Sequence, residues 1–175
     1  MGKLPVPDLM LPSLFELSPE AVKGMGVKLL LLDLDNTMSP YGEDTPGEPL
    51  RKWIRAMKDA GVVPFILSNN RGPRPGVFAR ELGIEYANRA KKPSAKVLVR
   101  VLAEKGVLPG EAALAGDQIY TDVLCAKRAG IAAIAVRPIS LKNPLLAVRY
   151  VFECPFRLLG RGNTLGKLKN TTERG

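Results

Sequence analysis

Five short apolar runs punctuate this chain: Val27–Leu32, Val62–Leu67, Ile84–Ala87, Ala112–Ala115 and Ile131–Val136. Their near-continuous apolar character suits strands buried on both faces, as in a parallel sheet. Between them, Glu48–Ala60, Gly76–Leu82, Ser94–Lys105 and Tyr120–Ala129 carry apolar residues at helical spacing. A glycine directly follows each helical segment (Gly61, Gly83, Gly106, Gly130), where a left-handed residue is wanted. This repeat of strand, helix and short connection predicts an α/β fold, a doubly wound (Rossmann-like) parallel sheet of about five strands. Residues 1–26 read as a Pro-rich lead-in with one short helix, capped by Ser18 with Pro19 at its first position. Residues 27–159 form the expected domain, including a C-terminal helix. Residues 160–175, rich in Gly, Lys and Asn, read as a basic, disordered tail.

At 175 residues, 46% hydrophobic and 25% charged, the chain is expected to fold as one globular domain with its own core. Cys125 and Cys154 lie far apart without metal-type spacing and read as buried thiols in a reducing compartment. No run reaches transmembrane length, and the N-terminal segment lacks the pattern of a signal peptide, so a cytoplasmic location is expected. The chain has no histidine. That removes serine–histidine and cysteine–histidine nucleophiles, histidine zinc sites and phosphohistidine chemistry. Catalysis must then rest on carboxylates, lysine, hydroxyls and a hard metal. The net charge of +9 is uneven: residues 1–136 hold 18 Lys/Arg against 15 Asp/Glu, whereas residues 137–175 hold 8 against 2. Such a basic end points to an anionic partner, nucleic acid or an acidic membrane surface, or serves solubility alone.

Chemistry gathers where the runs end. The first stops in Asp33-Leu34-Asp35-Asn36-Thr37. Two carboxylates leaving a core strand are costly to desolvate and repel each other, which suits a divalent cation at the ligand-binding edge of an α/β sheet. The second ends in Ser68-Asn69-Asn70, a hydroxyl followed by backbone amides, suited to phosphate oxygens. The fourth ends in Gly116-Asp117, with a further acid at Asp122. Lys91-Lys92-Pro93-Ser94 opens a helix, where a lysine holds anionic charge. Each signal is weak alone; together they are specific.

In order and spacing, these four motifs resemble the haloacid dehalogenase (HAD) superfamily of aspartate-nucleophile phosphatases, over roughly residues 27–138. The resemblance implies that Asp33 attacks the phosphoryl group and that Asp35 protonates the leaving oxygen, then deprotonates water. It implies phosphoryl binding by Ser68 and the Asn69 amide, and charge neutralisation by Lys92. Mg²⁺ would be held by Asp33, the Asp35 carbonyl and Asp117. Asp122 would orient Lys92 or a metal-bound water, and Thr37 would support the site from within the first motif. The second aspartate argues for phosphatase over dehalogenase.

Neither Met38–Leu67 nor Asn70–Lys91 leaves room for a cap domain, only a short flap at Ser39–Pro46. An open site suits a bulky substrate, because small metabolites need enclosure. Ala90-Lys91-Lys92-Pro93 and Gly116-Asp117-Gln118, among other stretches, resemble the YqeG-type branch of HAD subfamily IIIA. That branch is related to phosphatidylglycerophosphate phosphatases, implying a phospholipid head group as substrate at the inner face of a membrane. Two alternatives stand beside this. One is a phosphatase of a soluble sugar or nucleotide phosphate, in a homo-oligomer whose neighbouring subunit acts as cap. The other is a non-catalytic, RNA-associated scaffold, disfavoured by the intact motifs.

Along Pro144–Arg161, the charged residues Arg149, Glu153, Arg157 and Arg161 recur every four positions, a narrow polar stripe on a helix. The expectation is that Leu145–Phe152 packs on the sheet as the last helix, leaving Phe156–Leu159 to meet a membrane or partner. Pro155 is expected to kink or end the helix.

Overall fold

Leu29–Leu32, the most apolar run, lies inside the sheet with all four side chains buried. The computed structural model describes residues 4–142 and 144–163. In chain order the elements are β1 (Leu9–Leu11), α1 (Pro19–Gly24), β2 (Leu29–Leu32), α2 (Glu48–Asp59), β3 (Val63–Leu67) and α3 (Arg74–Leu82). There follow β4 (Glu85–Ala87), α4 (Lys96–Lys105), β5 (Ala112–Gly116), α5 (Leu124–Ala129), β6 (Ala132–Val136) and α6 (Pro144–Gly160). The strands lie in the order β1-β6-β5-β2-β3-β4, each neighbouring pair parallel. Alternation along β2 serves both layers. Leu30 and Leu32 join a core with Val22, Leu50, Ile54, Met57 and Phe78 from α1, α2 and α3. Leu29 and Leu31 join a second with Leu98, Val101, Cys125 and Ala126 from α4 and α5. Among the described residues no cap domain is inserted, and the strand order reverses between β2 and β5, the switch point where α/β folds bind ligands.

The sheet has a strand more than the five runs predicted. Its source is the lead-in, where Leu9, Met10 and Leu11 pair with Ile134, Ala135 and Val136. Leu9, Leu14, Leu17 and Val22 are buried in the first core, and the Trp53 indole N–H donates to Leu17 O at 2.9 Å. The folded unit therefore begins before residue 27. At the other end, the Met10 N–H donates to Asn163 O at 2.9 Å and Asn163 Nδ2 to Pro7 O at 2.9 Å, so residue 163 is tied to the sheet rather than lying in a tail that begins at 160. Residues 164–175 lie outside the described residues.

The last helix overturns its predicted orientation. It runs unbroken through Pro155, and its charged stripe faces inward, with Glu153 1% and Arg157 5% exposed. Its apolar side faces out: Leu145, Val148, Val151, Phe152, Leu158 and Leu159 are exposed, Phe152 by 67%. Only Phe156 among the large apolar residues of its second half packs on the core, edge-on to Tyr120 at 5.7 Å. The physical reason is polar demand at the sheet edge. Arg157 donates to the carbonyls of Asp117 and Val136, and Glu153 accepts from the Ile119 N–H at 2.9 Å. Buried backbone groups require partners, and the charged stripe supplies them.

Candidate active site

Asp33 follows β2 directly, its N–H continuing the ladder to Ala115 O at 2.9 Å. The chain then turns through Asn36 in a left-handed conformation (φ 65°). The Asn36 amide exchanges two 2.8 Å hydrogen bonds with the Ser140 backbone, pinning the Asp33–Thr37 turn to the segment after β6. Ser68 leaves β3 buried, its Oγ accepting the Asn70 N–H at 3.1 Å. Lys92 arrives on a loop that the Asn69 side chain grips from both sides, accepting the Lys92 N–H at 2.7 Å and donating to Lys92 O at 3.0 Å. Asp117 follows Gly116 at the end of β5. A wide turn at Ile119–Val123, with hydrogen bonds to the fifth residue on, replaces the predicted start of a helix and swings Asp122 back over Gly116. A Cβ at Gly116 would lie 2.4 Å from the Asp122 carboxylate, so only glycine fits there.

These turns gather all the residues named from the motifs at one edge. Lys92 Nζ sits 2.5 Å from Asp33 Oδ1 and 2.6 Å from Asp122 Oδ1, with all three side chains buried. The Thr37 hydroxyl accepts the Asp117 N–H at 3.0 Å and lies 3.2 Å from both Asp33 Oδ2 and Asp117 Oδ1. With a single proton, it satisfies one carboxylate at a time. Burial pushes the Asp33 carboxyl up to about 7 despite the adjacent Lys92, with Asp122 and Asp35 adding to the push. Burial, then repulsion from Asp33 and Asp122, holds the Asp117 carboxyl well above the usual range. Burial works against the Lys92 charge, but Asp122 and Asp33 more than offset it and keep the ammonium above the ordinary lysine range.

Asp33, Asp117 and Asp122 present oxygens within 4.8 Å of one another. Among the described residues, Lys92 is the cation in contact with two of these carboxylates, and Arg149 acts on Asp117. Asp122 Oδ1 takes the Lys92 ammonium as its partner at 2.6 Å. Hard oxygen donors and surplus negative charge around one buried lysine fit a divalent cation.

The Asp35 carboxylate is turned away from that trio, ion-paired with Arg74 and 3.2 Å from Asn70 Nδ2. Arg74 was not singled out from the sequence. Its guanidinium also donates to the carbonyls of Glu43 and Pro40, so it fastens the flap and Asp35 together. Over the edge, burial and the negative charge of Asp117, Asp33 and Asp35 push the Tyr41 phenol up to about 12. Glu153 and Arg157 were also missed as supports of the Asp117 turn. Their four-residue spacing was visible, but not which way the stripe faced.

Carboxylates, a buried lysine and a hydroxyl meet at the switch point of a parallel sheet, a set of groups suited to phosphate chemistry. A HAD-hydrolase-like family model matches residues 89–138. The chain is 33% identical over 140 residues to the probable phosphatase YqeG of Bacillus subtilis (strain 168), covering 80% of this chain and 81% of that one. It is 26% identical over 151 residues to the chloroplastic/mitochondrial phosphatidylglycerophosphate phosphatase 1 of Arabidopsis thaliana, covering 81% of this chain but 43% of that protein. The fold is similar to the cobalt-bound deoxy-D-mannose-octulosonate 8-phosphate phosphatase of Haemophilus influenzae, at 18% identity and a TM-score of 0.53, over 65% of this chain and 70% of that one. The chain belongs to the HAD superfamily, within its YqeG-type phosphatases.

Proposed function

We propose that this phosphatase hydrolyses a phosphomonoester through an aspartyl-phosphate. Asp33 Oδ attacks phosphorus as the ester bond breaks, and Asp35 gives a proton to the departing alkoxide oxygen. Asp35 then takes a proton from water, whose oxygen bonds to phosphorus and releases Asp33 and inorganic phosphate. The Ser68 hydroxyl and Asn69 N–H would hold the phosphoryl oxygens, and Lys92 would neutralise charge beside Asp33. Asp33 and Asp117, with the Asp35 carbonyl, would hold Mg²⁺, while Asp122 anchors Lys92 and Thr37 steadies both carboxylates. Bound Mg²⁺ supplies Lewis-acid stabilisation of the phosphoryl oxygens. The observation that carries this reading is Lys92 held between Asp33 and Asp122. A panel of phosphomonoesters assayed for phosphate release in Mg²⁺ tests it, and full activity after exhaustive chelation would remove the metal from the mechanism.

The raised carboxyls set a pH dependence. Asp33, raised to about 7, contributes stability present below the unfolded carboxylate value and lost as pH climbs through about 7. Metal binding needs the ionised form. The metal-free protein is therefore expected to melt at lower temperature at pH 8 than at pH 5.5, and added Mg²⁺ to raise the melting temperature more at pH 8. At a hundredfold excess over Kd the gain is about 2.7 kcal/mol, or roughly 5–10 °C at this size. A larger Mg²⁺ increment at pH 5.5 contradicts this site.

For the substrate, we infer phosphatidylglycerophosphate, cleaved to phosphatidylglycerol at the cytoplasmic face of a membrane. The Arabidopsis relative carries that activity in its name, the site has no cap, and α6 turns an apolar face outward beside it. Glu153 and Arg157 attach α6 to the Asp117 turn, so a surface that received Val151, Phe152, Leu158 and Leu159 would lie next to the reacting edge. No helix among the described residues is long and apolar enough to span a bilayer, but one with an outward apolar face of this kind suits the interface. Phe152→Ser with Leu159→Ser is expected to release the protein from phosphatidylglycerol vesicles and slow hydrolysis of bilayer substrate, while a soluble aryl phosphate is still cleaved. Unchanged vesicle binding and turnover would sink the docking surface. A dimer that hides this face, without vesicle binding, would favour the soluble-substrate alternative.

A further inference from the structure

Beside the reacting edge lies a pocket that the mechanism does not use. After β4 the chain runs Asn88-Arg89-Ala90-Lys91-Lys92 along the end of β3. The Arg89 N–H donates to Asn70 O at 3.1 Å and the Ala90 N–H to Ser68 O at 3.0 Å. These bonds fix an alternation in which Ala90 and Lys92 are buried while Arg89 and Lys91 are exposed. Arg89 (φ 48°) and Lys91 (φ 55°) both adopt the left-handed region, uncommon and costly for residues other than glycine. Facing them, Arg71 follows Asn69 and Asn70. Together with Asn69, the three cations line a cavity of about 440 Å³.

Among the described residues, no carboxylate lines this cavity. Among the described residues, none of the three side chains has an ion pair or hydrogen bond. Some other exposed or half-buried cations do, among them Lys28 with Glu111, Arg51 with Glu81, Lys105 with Glu85 and Lys127 with Asp8; what sets these three apart is that they converge on one cavity. Three unpaired cations converging on one cavity repel one another, and a bound anion relieves that repulsion. Asn69 forms part of the cavity wall while its side chain grips the Lys92 loop, so an anion there would sit next to the phosphoryl site.

We propose that this pocket is a second anion subsite, which takes a phosphate of the substrate other than the one cleaved. The inference rests on the reading of Asp33 as a phosphomonoesterase nucleophile. It narrows the substrate class to phosphomonoesters carrying a further phosphate. Guanidinium forks match phosphate geometry. In a site without a cap, binding a remote group supplies orientation that enclosure supplies elsewhere. The second phosphate is either the diester of a lipid head group or the distal phosphate of a soluble bisphosphate.

The experiment compares kcat/KM for glycerol 3-phosphate, deacylated glycerophosphoglycerol phosphate and fructose 1,6-bisphosphate. It uses the full chain and the Arg71→Gln, Arg89→Asn and Lys91→Asn variants, singly and together. Asparagine removes the charge yet tolerates the left-handed backbone, and thermal melting checks that each variant folds. The wild type is expected to prefer a two-phosphate substrate, and the triple variant to lose at least about tenfold of that preference, mainly through KM. The preference should also weaken with salt. If the lost preference is for glycerophosphoglycerol phosphate, the subsite and the lipid reading stand together. If it is for the bisphosphate, the subsite stands and the lipid reading fails. A triple variant that keeps its preference for glycerophosphoglycerol phosphate overturns the subsite and leaves the lipid reading intact. A wild type without preference for either two-phosphate substrate overturns the subsite.

Discussion

Asp33→Asn is expected to lower turnover on the order of 10⁴-fold or more, the scale seen when a catalytic group is removed, or about 5 kcal/mol of transition-state stabilisation. The substitution is nearly isosteric, but an amide oxygen is too poor a nucleophile to form the phosphoryl-enzyme. Stability should move the other way. Burial makes the Asp33 carboxylate costly to ionise, and in the variant Lys92 keeps Asp122 as a one-to-one partner. At pH 8 in chelator, Asp33→Asn should melt no lower than the wild type, which separates lost chemistry from lost fold. Substantial Mg²⁺-dependent turnover in this variant would mean that another group attacks phosphorus.

Asp35→Asn separates the second role. Without the acid, an ordinary alkoxide leaves poorly, whereas a good aryl leaving group still departs. Hydrolysis of the phosphoryl-enzyme then lacks its base. Acid-quenched Asp35→Asn given an aryl phosphate should therefore retain covalent phosphate that Asp33→Asn does not. Because Arg74 pairs with Asp35 in the structure, proton transfer also requires that pair to loosen when substrate enters.

Much of the sheet and the reacting edge was legible because both follow from local rules. Strands buried on both faces announce themselves as continuous apolar runs, and charged residues directly after them have to sit at the sheet edge. Asp33, Ser68 and Asp117 were picked out where such runs end, and Lys92 from its place at the start of a helix. β1 was not, because the three residues Leu9–Leu11 carry no usable period and their pairing with Ile134–Val136 is wholly long-range. Arg74 was hidden for the same reason: its partners Asp35, Pro40 and Glu43 come from a flap more than thirty positions away. For α6, periodicity found the stripe correctly but not its direction. A hydrophobic ledger places the apolar side inward; the orphan carbonyl of Asp117 and N–H of Ile119 place the charged side there.

The buried pair in α6 is expected to matter nearly as much as the catalytic acids. Arg157→Met leaves Glu153 in the interior with only the longer 3.9 Å pair to Arg149, and Glu153→Gln leaves Arg157 buried without a carboxylate. Removing one partner of a buried pair costs about 3–5 kcal/mol, or roughly 6–20 °C of melting temperature at this size. Replacing both, with Glu153→Leu and Arg157→Met, removes the stranded charge and should recover much of that loss. The Asp117 carbonyl and Ile119 N–H would still lack their partners, so the turn carrying Asp117 and Asp122 would stay loose. In the double variant, melting temperature should therefore recover while the Mg²⁺ concentration for half-maximal activity stays raised. Recovery of both together would reduce the pair to a packing device, and a neutral single substitution would mean that the pair is not buried in solution. Truncation after Pro155 removes Arg157 with the apolar residues beyond it, so the docking face is separable from the core only by point changes on its exposed side.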